Sequence, residues 1–286
     1  MPILKPGKYP TEGVSYLPIK LLCPASKILE RLILPYLNEH LVIDNSQHGF
    51  RAGRSPTSAL LPLVSAVIDG FNEQKPAKRT VVVSLDLSKA FDSVKHDRLL
   101  RKLSGTSLPH NIVRWLATFL KGREQSVLYN GHHYSFKHVH LGVPQGAVLS
   151  PTLFNFFVTD FPALQCQKTS FADNFNIFTS DSDIDAAVAR LNSDLSLISK
   201  WSREVDLAIA PSVTHFTSNP HEHSYHPQVK MEELVDLGGA FGTVALDRLI
   251  PLAQQPRILG VRFDPISRSP HTRAKWLGAA LNASRS

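Results

Sequence analysis

The chain of 286 residues holds only two cysteines, Cys23 and Cys166. Two thiols exclude a disulfide scaffold and a cysteine-rich zinc module. No apolar run reaches the roughly 18 residues that a membrane helix needs, because Lys20, Asp86 and Asp160 break the longest candidates. The opening MPILKPGKYP lacks the apolar core of a signal peptide. These absences leave an intracellular protein with no membrane partner, or a fragment whose targeting parts lie elsewhere. Internal repeats and low-complexity tracts are absent too.

What remains is ordinary globular material. Residues are 43% hydrophobic and 19% charged, enough to build a core and too apolar for a disordered tail. The length fits one large domain or two ordinary ones. Lysine and arginine exceed aspartate and glutamate by 31 to 24, a formal charge of +7. A basic surface favours polyanions such as nucleic acid, although many proteins are mildly basic without binding one.

Along the chain, residues 1–20 are rich in proline, glycine and lysine and read as extended loop. Apolar spacing predicts a helix over 24–43, with Ser26 as N-cap and Pro35 as a kink or break, and a second over 56–73. Between them, SQHGFRAGR is a basic, glycine-punctuated turn. TVVVSLDL (80–87) is a β-branched run that reads as a buried strand. Helices are expected over 96–105, 109–121, 150–161 and 182–205, and a hairpin around Asn130-Gly131. Residues 166–180 read as two short strands about a turn at 172–174. Residues 211–256 give no clear element, and PRILGVRF (256–263) reads as a last strand. Uneven alternation of strand and helix favours an α+β fold over a doubly wound sheet.

Several residues can carry chemistry. Asp86 ends the buried strand, Asp92 follows six residues later, and Asp173 sits between apolar stretches in SFADNFNIF. A carboxylate at the end of a buried strand is costly unless it is paired or binds a metal. Two such carboxylates facing one point would suit Mg²⁺, which takes oxygen ligands and keeps waters and substrate phosphates. On spacing alone, Asp86 could equally cap the following turn and Asp173 could lie in a surface hairpin. Gly142-Val143-Pro144-Gln145-Gly146 is a stiff, then permissive loop, and by itself it reads as a turn before a helix. Arg51 and Arg54 flank Gly53 in a pattern that suits phosphate or a solvated surface. His221, His223 and His226 invite a zinc reading, with exposed histidines as the default.

Taken in order, the motifs are specific. PILKPGKYPT with YLPIKLLCPASKILERLI, QHGFRAGRSPTSAL, VVVSLDLSKAFDSVKHDRLL, LGVPQGAVLSPTLFNFFVTD, SFADNFNIF, LNSDLSLISKWSREVDLAIAPS and PRILGVRFD follow one another over residues 2 to 265. This series resembles the reverse transcriptase domain of non-LTR (LINE-type) retrotransposons, nearest to the jockey-like group. The resemblance implies a right-hand polymerase of α+β class with a small antiparallel palm sheet. Residues 1–79 would be fingers and 80–215 a palm with motifs A to D. Residues 216–286 would be an irregular segment, a palm–thumb strand and a truncated thumb. It further implies RNA-directed DNA synthesis, with an RNA template, a DNA primer, dNTPs and Mg²⁺, or Mn²⁺ in its place. Working copies of such elements act at nuclear DNA.

By the same resemblance, Asp86, Asp173 and Asn174 are the catalytic positions, and Asp86, Asp173 and the Leu87 carbonyl are the metal ligands. Phe91 would crowd a ribose 2′-hydroxyl. Gln145, Gly146, Lys20 and Arg51 would bind nucleotide, and Arg54 and Lys8 the nucleic-acid backbone. Three positions depart from the family pattern. Asn174 replaces an aspartate, Leu17 an arginine, and Val213 a lysine that could protonate the leaving pyrophosphate. Each loss removes a charge, so impaired catalysis is expected. The alternative is an inactive retroelement remnant that at most binds nucleic acid. A metal-dependent hydrolase on Asp86 and Asp173 lacks a nucleophile or base arrangement of its own.

Overall fold

The β-branched run ending in Asp86 becomes the centre of a sheet, and its neighbours follow from local sequence. The computed structural model describes residues 2–4, 7, 9, 11, 15–18, 20–73, 76–129, 131–216, 227–236, 243–250, 253, 257–259 and 261–262. In chain order these form β1 (Pro2–Leu4), β2 (Tyr16–Pro18), α1 (Pro24–His40), α2 (Pro56–Asn72), β3 (Arg79–Leu87), α3 (His96–Ser104) and α4 (His110–Leu120). The short strands β4 (Arg123–Gln125), β5 (Leu128–Tyr129), β6 (His132–His133) and β7 (Lys137–Val139) precede α5 (Ser150–Phe157). Then come β8 (Gln167–Phe171), β9 (Asn174–Asp181), α6 (Ile184–Val205), β10 (Ile209–Phe216), β11 (Lys230–Asp236), β12 (Thr243–Leu249), β13 (Arg257–Ile258) and β14 (Val261–Arg262). The α+β expectation holds.

Helix starts follow their capping chemistry. Pro24 opens α1, where a missing N–H costs nothing. Ser26 does not cap it: its hydroxyl donates to the Cys23 carbonyl (2.8 Å). Pro35 lies inside α1 without ending it. Ser55 and Ser58 form a reciprocal capping box before α2, each hydroxyl accepting from the other's backbone N–H. The Asp183 side chain accepts from the N–H groups of Asp185 and Ala186 at the start of α6.

The chain divides into two compact units. Residues 44–88 and 161–286 make the first. Its centre is a four-stranded antiparallel sheet in the order β10-β3-β9-β8. Along β3 successive side chains alternate between the faces. Val82 and its partner Phe178 join Leu60, Leu63, Val64, Val67 and Phe71 of α2 in one buried cluster. On the opposite face Phe161 stacks on Phe175 and meets Trp201 of α6. Covering both faces explains why β3 is a continuous apolar run rather than an alternating one. Residues 1–43 and 89–160 make the second unit. Its core includes Leu99 and Leu103 of α3, Leu116 and Leu120 of α4, and Leu153, Phe154 and Phe157 of α5. The buried Glu30 of α1 accepts from the N–H groups of Val148 (2.6 Å) and Leu149 (3.1 Å) ahead of α5.

Four expectations are corrected. Residues 1–20 are not all loop, since β1 pairs with β2. The described residues of 211–256 are largely strand: β10 pairs with β3 along its whole length, and β11 pairs with β12. Pro211 hid β10, but an edge strand tolerates a residue without an N–H. Residues 256–263 hold a tight hairpin, β13 with β14, rather than one strand. The helix expected over 150–161 ends at Phe157, followed by a 3-10 turn over Val158–Asp160.

Phe178 is almost wholly enclosed between strand and helix. Phe178→Ala is expected to lower unfolding free energy by about 3–5 kcal/mol, and Phe178→Leu by less than about 1.5 kcal/mol, in urea titrations followed by circular dichroism.

Candidate active site

In the sheet unit, β3 brings Asp86 to the end of the central strand, directly opposite Asn174 of β9. Paired positions share a face, with Cβ atoms about 5 Å apart. Asp173 precedes Asn174 in the two-residue turn, Ala172-Asp173, that joins β8 to β9. The Leu87 N–H donates to the Asp173 carbonyl (3.2 Å), tying the turn to the end of β3. Asp86 is exposed and Asp173 half-buried. Burial, and then the charge of Asp86, raise the Asp173 carboxyl above the ordinary aspartate range. Asn174 Nδ2 sits 3.5 Å from Asp173 Oδ1, at the limit of a hydrogen bond. A half-buried carboxylate made costlier to ionise by a neighbouring one fits a divalent cation, whose charge would relieve it. Asn174 supplies an amide where a third carboxylate would complete the set. Among the described residues no group of three histidine, cysteine or acidic side chains gathers anywhere.

The loop between α1 and α2 lies against this turn in the same unit. Arg51 Nη1 donates to the carbonyls of Asp44 (2.9 Å) and Gln47 (3.2 Å), and Arg54 Nη1 to that of Asn45 (3.0 Å). Both guanidinium groups thus brace the loop with one nitrogen each. His48, bonded to Ser58 Oγ (2.7 Å), is held below its ordinary range by burial and by the charges of Arg54 and Arg51. Gln47 is buried, and its amide reaches the turn at Ala172. The one sequence signal for Gln47 is its place in QHGFR, two residues before a glycine.

The second unit carries another constellation. Asp92 accepts from Lys20 Nζ (2.7 Å) and from Gln145 Nε2 (2.8 Å). Phe91 stacks on Phe154, with ring centroids 4.8 Å apart. The Val143 N–H donates to the Phe91 carbonyl (2.7 Å), and the Gly142 N–H to that of Val94 (2.8 Å). At Gly142 a Cβ would lie 2.8 Å from the Asp92 backbone, so only glycine fits. Pro144 to Ala147 form a turn with Gly146 at φ +88°, the type II geometry that glycine favours. Lys20, Phe91, Gln145 and Gly146 therefore lie in one network joined by Asp92, whose partners are 72 and 53 positions away along the chain.

Other expected residues lie elsewhere. Lys8, Asn130, His221, His223 and His226 fall outside the described residues. Leu17 pairs with Ile3, and Val213 with Val83, three residues before Asp86 along β3. Cys166 is not a reactive thiol, because burial and the nearby Asp194 push it up to about 12. No helix among the described residues is long and apolar enough to cross a membrane.

An aspartate at the end of β3, another in the turn before β9 and the ordered motifs along the sequence point to a class. A sequence model of the reverse transcriptase (RNA-dependent DNA polymerase) family matches residues 3–279, and the chain belongs to that family. Within it, the chain is similar to the RNA-directed DNA polymerase from mobile element jockey of Drosophila funebris. The two are 29% identical over 98% of this chain and 31% of the relative. The jockey counterpart of Drosophila melanogaster is 31% identical over 72% of this chain and 24% of the relative. The chain thus spans less than a third of the length of these relatives. Among solved structures, apo telomerase from Candida tropicalis, truncated from its C-terminal domain, is 11% identical. It covers 68% of this chain and 41% of that one, with a TM-score of 0.46. The resemblance to a jockey-like, non-LTR reverse transcriptase is borne out by the family match and these relatives.

In the metal-free chain, Asp173→Asn is expected to raise the melting temperature by roughly 1–3 °C, by removing a desolvated charge beside Asp86. The pH dependence has a defined sign. Because the folded-state pKa is raised, ionised Asp173 opposes folding above that pKa. The parent then gains on the variant as pH falls toward the unfolded value of about 3.9. Melting curves of both chains from pH 4 to 8 test this.

Proposed function

We propose that this chain is the nucleotidyl-transfer core of an RNA-directed DNA polymerase, extending a DNA primer with dNTPs on an RNA template. The observation that carries the reading is the register that sets Asp86 beside Asn174 and the Asp173 turn. In this reading residues 1–79 serve as fingers, 80–215 as palm, and 216–286 as the palm–thumb strand and a truncated thumb of a right-hand fold. Asp86, Asp173 and the Leu87 carbonyl would hold Mg²⁺ or Mn²⁺. Bound there, the metal would stabilise charge on the attacking 3′-oxygen and the leaving pyrophosphate.

The chain's own residues do the rest. Phe91, steadied by Phe154, would exclude a 2′-hydroxyl and so select deoxynucleotides. Gln145 and Gly146 would line the nascent base pair, with Asp92 orienting the Gln145 amide. Lys20 supplies positive charge for triphosphate in the absence of an arginine at Leu17. Arg51, Arg54 and Lys8 would hold phosphate backbone without reading sequence.

The second reading, an inactive remnant that binds nucleic acid, is favoured by one feature. Asn174 carries no charge at a position directly opposite Asp86. Primer extension on a homopolymer RNA template separates the two. The parent is expected to extend weakly with Mn²⁺, Asp86→Ala not at all, and Asn174→Asp faster than the parent by on the order of 10- to 100-fold. Silence of the parent together with Asn174→Asp, both folded and binding the template, would favour the remnant.

A further inference from the structure

The turn that carries Asp173 is held in a backbone conformation that its own residues do not favour. Ala172 has φ +56°, in the left-handed region that residues with a Cβ seldom enter. Local sequence therefore does not explain why the turn stays there, and the loop over 44–51 does. Gln47 Nε2 donates to the Ala172 carbonyl (2.9 Å), while Gln47 Oε1 accepts from the N–H groups of Ala172 (2.8 Å) and Gly49 (2.8 Å). One amide thus grips both sides of the strained residue, and it does so while 97% enclosed, with a relative exposure of 3%.

The surroundings fit this grip. A Cβ on Gly49 would lie 2.2 Å from the Ala172 nitrogen, so the loop approaches the turn as closely as backbone can. The His48 N–H donates to the Ser170 carbonyl (2.8 Å), and the Ser170 N–H to that of Ser46 (2.8 Å), a parallel bridge onto the edge of β8. Lys168 pairs with Asp44 (2.6 Å) at the other end of the loop. The Gln47 carbonyl is in turn held by Arg51. The carbonyl that Gln47 grips belongs to the peptide unit entering Asp173, so its orientation sets where the Asp173 side chain leaves the backbone.

We propose that Gln47 is a positioning residue for the metal site, fixing the Asp173 carboxylate by clamping Ala172 in its positive-φ conformation. This rests on the reading of Asp86 and Asp173 as cation ligands. Gln47 touches neither cation nor substrate and acts through the turn. A side chain that only stabilised the hairpin would alter melting temperature without altering cation affinity in the folded protein.

The test uses the full chain and Mn²⁺ itself, with affinity read by electron paramagnetic resonance and folding by circular dichroism. Gln47→Leu keeps the volume and loses all three bonds. Gln47→Asn keeps the amide on a stem too short to reach Ala172, and serves if Gln47→Leu does not fold. Either folded variant is expected to bind Mn²⁺ more weakly by on the order of 10-fold or more. Adding Ala172→Gly is expected to recover part of that loss, because glycine takes positive φ without help. Parental affinity in a folded Gln47 variant would overturn the clamp alone. Failure of both variants to fold, or no recovery with Ala172→Gly, would make Gln47 a structural residue and also overturn it. If the parent binds Mn²⁺ no better than Asp86→Ala and Asp173→Ala, the metal reading falls and the clamp with it.

Discussion

Bringing two carboxylates together at the ends of neighbouring strands costs energy, and much of the sheet unit serves to hold them there. The repulsion appears at Asp173, whose carboxyl is raised by burial and by the charge of Asp86. Antiparallel pairing of β3 with β9 sets their relation, and a slip of one residue would send Asp86 to the other face. That register is secured by burying both faces of β3, against α2 through Val82 and Phe178 and on the side where Phe161 and Phe175 meet α6. The large apolar investment in TVVVSL is therefore the means by which one exposed aspartate is held at a defined place.

Asn174 changes the electrostatics of that place without changing its shape. An amide fits the same volume as a carboxylate, can accept a hydrogen bond and offers a neutral oxygen to a cation. It leaves Asp86 and Asp173 as the acidic pair in a site where a further negative charge would draw a cation more strongly. An asparagine opposite Asp86 thus keeps the volume of an aspartate without its charge. The second unit shows a comparable economy. Asp92 holds both Lys20 and Gln145, so one carboxylate orients a cation and an amide at once.

Much of this protein was determined by its sequence alone. Seven motifs in order pointed to the family, and the β-branched run, the capping serines of α2 and the amphipathic stretch of α6 set those elements, because each depends on neighbours within a few residues. Asp86 and Asp173 were legible as candidates because a charge at the end of an apolar run is conspicuous. β10 was not legible. Its polar, proline-bearing sequence makes sense only as an edge strand, and being an edge is a property of the sheet.

Only the tertiary structure decided which residues meet. The grip of Gln47 on Ala172 spans 125 positions, the link of Lys20 to Asp92 spans 72 and that of Gln145 to Asp92 spans 53. No local propensity encodes such pairs. Glutamine, lysine and aspartate occur everywhere on protein surfaces, and they acquire a partner only when the backbone closes around them. The positive φ of Ala172 belongs to the same class. An alanine at that position predicts another conformation, and contacts from a distant loop override the preference. The sequence therefore specified the elements and the chemical groups, while the fold chose their partners, because hydrogen bonds and charges act over a few ångströms in space whatever the distance along the chain.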